Sequence, residues 1–293
     1  MTVLVTGATG FIGPHVVHAL RARDENVRAL VRNPARATRL TAWGVDLAAG
    51  DVSDAGSLRS ACEGVDTVVH LFSIIKGSRS DFERLMTQGT RDLVAAAQDA
   101  GVRRFVLASA LGLDERSKDA VPYYASKWEM EKAVKESGLD HVIFRPSFVF
   151  GKDGGVLPTF SRLARYAPVT PIVGPGTQKM QPIWVEDLAE YFAHAVAEPV
   201  SGTFELGGPD TVTWNEFWDR LKRALGVKRP SIHMPFSVMR VQATLTEWLP
   251  GAPVTRDQLK MLQLGDNVVR DASAVETFRL PLVPLDEQLR RAA

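Results

Sequence analysis

Met1-Thr2-Val3-Leu4-Val5-Thr6-Gly7-Ala8-Thr9-Gly10-Phe11-Ile12-Gly13 is the stretch on which the fold turns. Its first six residues are largely apolar and β-branched and read as a buried strand. Glycines follow at positions 7, 10 and 13, and helical periodicity begins inside the turn, with Ile12, Val16, Val17, Ala19 and Leu20 on one face. A strand that runs into a glycine-rich turn and then a helix is the context in which such glycines bind a dinucleotide. Gly7 permits the tight turn, Gly10 lets backbone approach a pyrophosphate, and Gly13 lets helix and strand pack closely. Thr9, Phe11 and Ile12 belong to the same turn, whose N–H groups and positive helix end would face the phosphates.

Outward from this turn, Asn26–Val31 reads as a second strand ending at Arg32-Asn33-Pro34. An acidic residue here, about 20 residues past the glycines, would hold the ribose 2′-OH of NAD. The sequence instead has Arg32, with Arg36 one turn further on. A guanidinium grips a 2′-phosphate in bidentate fashion, so the expected cofactor is NADP, with NAD as the alternative. A third strand at Val45–Gly50 leads to Asp51 and Val52, where a carboxylate could accept from the adenine amino group or cap a helix starting near Ser53. A fourth strand, Val65–Leu71, brings the backbone at Leu71, Phe72 and Ser73 to the nicotinamide half of the site. A helix over Asp81–Ala100 stops at Gly101, and Arg104–Ser109 and Asp140–Arg145 read as the fifth and sixth strands.

This alternation predicts an α/β fold, a Rossmann-type doubly wound parallel sheet with a smaller C-terminal substrate lobe. The dinucleotide-binding domain is expected over 1–150, with the sheet re-entered at about 183–198. From Gly151 onward Gly and Pro cluster, and 151–182 and 199–293 read as a mixed α/β lobe. Within it a short strand is expected at Thr203–Leu206, with helices at Thr213–Leu225, Phe236–Leu249 and Arg256–Leu264. Pro253 and Thr255 are start signals for the last of these. Trp184, Trp214, Trp218 and Trp248 read as core or pocket lining. Phe236–Leu249 is amphipathic and reads as packing on the lobe, or as a helix that docks a membrane surface or a partner.

A second constellation lies at Pro122-Tyr123-Tyr124-Ala125-Ser126-Lys127. Pro122 suits the first turn of a helix, and Tyr123 and Lys127, one turn apart, share a face of it. A phenol titrating near 10 is a poor acid or base at neutral pH, whereas an adjacent ammonium favours the phenolate. Tyr123 is therefore the candidate catalytic acid/base and Lys127 its tuning partner, with a further role on the nicotinamide ribose. Ser109, just past the fifth strand, is a candidate carbonyl-polarising donor.

Composition excludes several classes. Over 293 residues, 45% are apolar and 24% charged, an ordinary globular balance. Lys plus Arg number 35 against 34 Asp plus Glu, which leaves no electrostatic footprint for nucleic acid. A lone cysteine, Cys62, offers neither an intrachain disulfide nor a metal set, and the histidines fall at no metal-ligating spacing. With Met1 leading straight into a core strand and no run of about 20 apolar residues, a cytoplasmic protein without a membrane span is expected. Its partner is then an unidentified small-molecule substrate, with peripheral or complex association left open.

With these residues in hand, the chain resembles an extended or atypical short-chain dehydrogenase/reductase along nearly its whole length. VTGATGFIG, the strand-end GDV, Gln88-Gly89-Thr90, YYASK and RPSFVFG stand in that family's order. More narrowly, it resembles the branch that includes the accessory NADPH-holding subunit of respiratory complex I and its bacterial relatives, through LVRNP (Leu30–Pro34), ASALG (Ala108–Gly112) and the tail from Pro253 to Val269. The resemblance implies an NAD(P)-dependent oxidoreductase or epimerase/dehydratase-type enzyme that moves a hydride between nicotinamide and a carbonyl or alcohol. It also implies an alternative, a non-catalytic NADPH-binding structural, assembly or sensor protein. Catalytic members usually combine Asn, Ser or Thr, Tyr and Lys. Here the Asn position is Met86, and the second of two hydroxyl positions after the fifth strand is Ala110.

Overall fold

Seven parallel strands form the main sheet among the described residues, 1–247 and 255–293, of this computed structural model. They are β1 (Thr2–Thr6), β2 (Asn26–Val31), β3 (Asp46–Ala49), β4 (Thr67–His70), β5 (Arg104–Ala108), β6 (Asp140–Pro146) and β7 (Gly202–Leu206). Their order is β7-β6-β5-β4-β1-β2-β3, and each neighbouring pair is parallel. The order reverses between β1 and β4, so the crevice beyond their carboxyl ends is the switch point where such sheets take a nucleotide. This is the Rossmann-type architecture.

Helices cover both faces. The ones used below are α1 (Gly13–Arg21), α2 (Gly89–Asp99), α3 (Pro122–Glu136) and α4 (Val185–Ala197). α1 packs on α4. α2 continues a π-helical segment, Phe82–Gln88, that packs on α3. One core layer joins Leu4, Val68, Phe105, Leu107 and Ile143 of the strands to Phe82, Met86, Leu93, Met130 and Val134 of the helices. On the strands' alternate positions Val3, Val5, Val69 and Val106 are fully buried as well. Burial on both faces is why these strands read as apolar runs with no polar alternation.

The chain divides into two compact units. The first comprises Met1–Pro146, Val185–Leu206 and Asp271–Leu280, and the second Ser147–Trp184, Gly207–Arg270 and Pro281–Ala293. Two segments expected in the 199–293 lobe therefore lie in the first unit. Gly202–Leu206 pairs with β6 as the sheet's edge, because Phe204 and Leu206 are buried there, Phe204 beside Phe144. The helix Ser273–Phe278 brings Phe278 into the same cluster, with Phe144, Tyr191 and Phe204. The expected return to the main sheet at 183 also differs. Ile183–Trp184 pairs with Val149–Phe150 in a small sheet of the second unit, and α4 starts at Val185.

In that second unit an aromatic core gathers Phe150, Phe160, Phe217 and Trp218, with Phe150 stacked on Phe217 at 5.1 Å. Trp184 and Trp218 are buried and Trp214 packs edge-on against Phe148. The helix Trp214–Ala224 starts at a Thr213/Glu216 capping box and Arg256–Gln263 at a Thr255/Gln258 one. The helix expected over Phe236–Leu249 spans Phe236–Thr246 and buries Met239 and Ala243; Trp248, Leu249 and Pro253 lie outside the described residues. Among the described residues no helix is long and apolar enough to cross a membrane.

Candidate functional site

The three glycines divide their labour. Gly7 has φ +72°, and a Cβ there would meet the Phe72 backbone nitrogen at 2.8 Å, so β1 and the end of β4 touch backbone to backbone. At Gly13 a Cβ would lie 2.3 Å from the Gly7 carbonyl oxygen, a position the turn itself closes. At Gly10 it would meet only the Gly7 oxygen at 3.2 Å, and Thr9 and Gly10 are exposed. The turn therefore presents bare backbone outward. Ile12, half-buried at the start of α1, makes no side-chain cap, and Pro14 occupies the first turn. An uncapped helix end with a glycine backbone before it fits a pyrophosphate.

At the far end of β2, Arg32 and Arg36 are exposed around the short turn Pro34–Arg36, which Asn33 caps by accepting from the Ala35 amide at 3.1 Å. Asp51 does not cap the next helix. Its carboxylate accepts from the Ser53 amide and hydroxyl, and Asp54 caps Ala55–Cys62. Burial opposes the Asp51 charge, but the Ser53 bonds and the nearby Arg32 and Arg84 guanidinium groups hold the carboxyl below its ordinary value. Val52 is buried, with its carbonyl against Gly89.

Where β4 ends, Leu71 donates its amide to the Thr6 carbonyl, and Phe72 and Ile74 rest on the core that also holds Tyr123. Just before it, His70 is fully buried between two threonines. Thr90 donates its hydroxyl to the Met86 carbonyl at 2.6 Å, so its oxygen accepts from His70 Nε2 at 3.0 Å, and Nδ1 accepts from the Thr6 hydroxyl at 2.6 Å. Burial, with Lys127 nearby, lowers the His70 imidazole to about 3 and keeps it neutral. Nothing in the spacing of this histidine announced that network.

α3 carries Tyr123 and Lys127 to the same place. Lys127 is 1% exposed, its Nζ donates to the Ala108 carbonyl at 2.6 Å, and it stands 5.8 Å from the centre of the Tyr123 ring. Burial lowers this ammonium to about 7, against the upward pull of Glu131. Tyr123 departs from expectation. Burial pushes its phenol above the ordinary value, Tyr124 adds to this, and only a hydrogen bond shared with the Ser73 hydroxyl works the other way. Desolvation of the phenolate outweighs any help from the ammonium.

Ser109, the candidate carbonyl-polarising donor, has its hydroxyl engaged within the protein. That hydroxyl donates to Glu131 at 2.5 Å. The hydroxyl beside Tyr123 is instead that of Ser73, which lies 3.9 Å from the Met86 sulfur. Sequence reasoning reached Ser73 only for its backbone and not for its hydroxyl, and it passed over Glu131. Glu131 had a usable signal, one turn beyond Lys127 on the same helix face. Ala110 is buried and supplies no hydroxyl.

A cavity of about 330 Å³ opens beside the other side of α3, lined by Pro122, Ala125 and Glu129 with Arg79, Lys118 and Trp128. Among the described residues no group of three or more His, Cys, Asp or Glu side chains could hold a metal ion.

A family model described as NAD(P)H-binding matches residues 7–199. A ceramide reductase of Caulobacter vibrioides is 31% identical over 236 residues, covering 80% of this chain and 73% of the relative. Subunit 9 of the mitochondrial NADH dehydrogenase [ubiquinone] 1 alpha subcomplex of Rattus norvegicus is 27% identical over 308 residues, covering 98% of this chain and 79% of that protein. In fold, the chain is similar to an NADPH-dependent quinone oxidoreductase of Escherichia coli solved with NADPH, with TM-score 0.79, 22% identity and 98% of both chains covered.

Proposed function

The chain belongs to the NAD(P)H-binding family, and from that premise we propose that it is a reductase that prefers NADP and acts on an uncharged, apolar carbonyl compound. One observation carries the reading: Tyr123 and Lys127 stand together on α3, next to the backbone that closes the glycine turn, with the phenol held in its protonated form. A bound nicotinamide would supply the hydride. Tyr123 would give its proton to the carbonyl oxygen, and a phenol that stays protonated at neutral pH suits reduction better than alcohol oxidation, which needs the phenolate. Lys127, an ammonium with three donors of which one goes to Ala108, would hold the ribose with another, and Arg32 with Arg36 the 2′-phosphate. Ser73 would orient the phenol.

The apolar substrate class is supported by the neighbours of Tyr123. Phe72, Ile74 and Leu85 share its core, and Met86 stands where a polar side chain would be expected. A relative named for reducing a ceramide fits the same chemistry. The proposal includes a cytoplasmic setting, in keeping with a single buried thiol.

A second reading is favoured by Ala110 and by the engagement of Ser109 with Glu131. On it, the chain binds NADPH and serves a larger assembly, as the relative among the NADH dehydrogenase subunits would suggest. The test follows NADPH absorbance against a panel of ketones, aldehydes and quinones of increasing apolar length. Steady oxidation with the longer uncharged members is expected. A flat trace over the whole panel, with tight NADPH binding, overturns the reductase reading in favour of the second.

A further inference from the structure

Glu131 lies on α3 one turn beyond Lys127, and its carboxylate is 2% exposed. Such a charge survives burial only when it is held on several sides. Arg145 of β6 grips it in bidentate fashion, Nε to Oε1 and Nη2 to Oε2, both at 2.7 Å. Lys135 donates to Oε2 at 2.9 Å and Ser109 to Oε1 at 2.5 Å. Burial opposes the charge, yet these partners keep the carboxyl below its ordinary value. Ser109 directly follows Ala108, the residue whose carbonyl receives the Lys127 ammonium. Glu131 and Lys127 therefore fasten two consecutive residues at the end of β5 to one face of one helix.

We propose that Glu131 is a positioning residue for Lys127, clamping the end of β5 so that the Ala108 carbonyl meets the ammonium, and supplying the negative charge that keeps that buried ammonium protonated. The inference rests on the reading that Lys127 serves the bound dinucleotide. The groups that face Lys127 are few: His70 of β4, neutral in its threonine bracket, and Tyr123 and Glu131 of α3. Arg145 and Lys135 stand behind Glu131. Removing the carboxylate would leave both cations uncompensated, and each would push Lys127 further towards its neutral form.

The experiment measures NADPH affinity from pH 6 to 9.5 in wild type, Glu131→Gln, Glu131→Asp and Ser109→Ala, with thermal melts to confirm folding. Wild-type affinity should weaken as the pH rises and Lys127 loses its proton. In Glu131→Gln that weakening should begin about one pH unit lower. Glu131→Asp should return most of the way, since it retains the charge. Ser109→Ala, which loosens the clamp and leaves the charge, should bind a few-fold more weakly at every pH with the profile unmoved. A folded Gln variant with the wild-type profile overturns the proposal, and a Ser109→Ala variant with unchanged affinity removes the clamp. Should Glu131→Gln fail to fold, the Asp and Ala variants decide. No turnover is needed, so an absent activity would sink the reductase reading while leaving this one standing. A Lys127→Met variant that binds NADPH like wild type would sink the premise about Lys127, and this proposal with it.

Discussion

Gly10 and Gly13 are the same residue in the same motif and answer to different forces. A side chain at Gly13 would collide with the backbone of its own turn, whereas one at Gly10 would meet only the Gly7 carbonyl oxygen, at 3.2 Å, and extend outward, on the side proposed for the pyrophosphate. Gly13→Ala should therefore cost at least about 2 kcal/mol of stability by overpacking, read from urea unfolding. Gly10→Val should keep its fold and lose NADPH binding; circular dichroism beside a binding titration separates the two, and a folded variant with normal affinity would contradict the assignment. At the end of β2, Arg32 is exposed and its charge already reaches Asp51. One charge-assisted contact contributes about 1.5–3 kcal/mol, so Arg32→Ala should reduce the preference for NADPH over NADH by roughly tenfold to a hundredfold. Equal affinities for the two cofactors in wild type would defeat this expectation.

Elements decide what single residues cannot, and β4, β5 and α3 show it. Just past β5 the Ser109 hydroxyl is spent on Glu131, two turns along α3 from Tyr123, a partner that the sequence alone does not display. The Tyr123–Lys127 pairing was legible because helix spacing is local. The rise of the phenol was not, since it depends on how deeply the π-helical segment and the end of β4 bury it. β4 also carries a testable charge effect. His70 titrates at about 3 when folded and near 6.5 when unfolded. Between those values the unfolded chain binds one more proton. The contribution is complete above pH 6.5 and is lost as the pH falls, by about 1.4 kcal/mol per pH unit. His70→Gln should show a correspondingly shallower fall in unfolding free energy between pH 6 and 4. Parallel slopes in the two proteins would show that other groups set the acid limit.

At the scale of the whole molecule, the parallel sheet was legible because its strands are buried on both faces and so read as uninterrupted apolar runs. In the second unit the helices were legible but the sheets were not, because their strands are two to four residues long and some find their partners far away in sequence, as Thr170–Val173 does with Ser231–Met234. Two- to four-residue strands leave no periodicity to count. That asymmetry explains why the cofactor chemistry can be argued in detail and the substrate only by class. It also makes Tyr123 the residue on which the two functional readings part. Tyr123→Phe removes a hydroxyl assigned to substrate and keeps the ring that packs beside Lys127. NADPH affinity should stay within about twofold, and a hundredfold excess of NADPH over its Kd should stabilise wild type and variant alike by about 2.7 kcal/mol. Turnover of any reduced carbonyl should fall by about 10²–10⁴, the contribution of a positioned proton donor. A protein that only holds NADPH would show the same stabilisation with no turnover to lose, whereas oxidation that continues undiminished in Tyr123→Phe would mean that the proton comes from another group, with Ser73 the first to test.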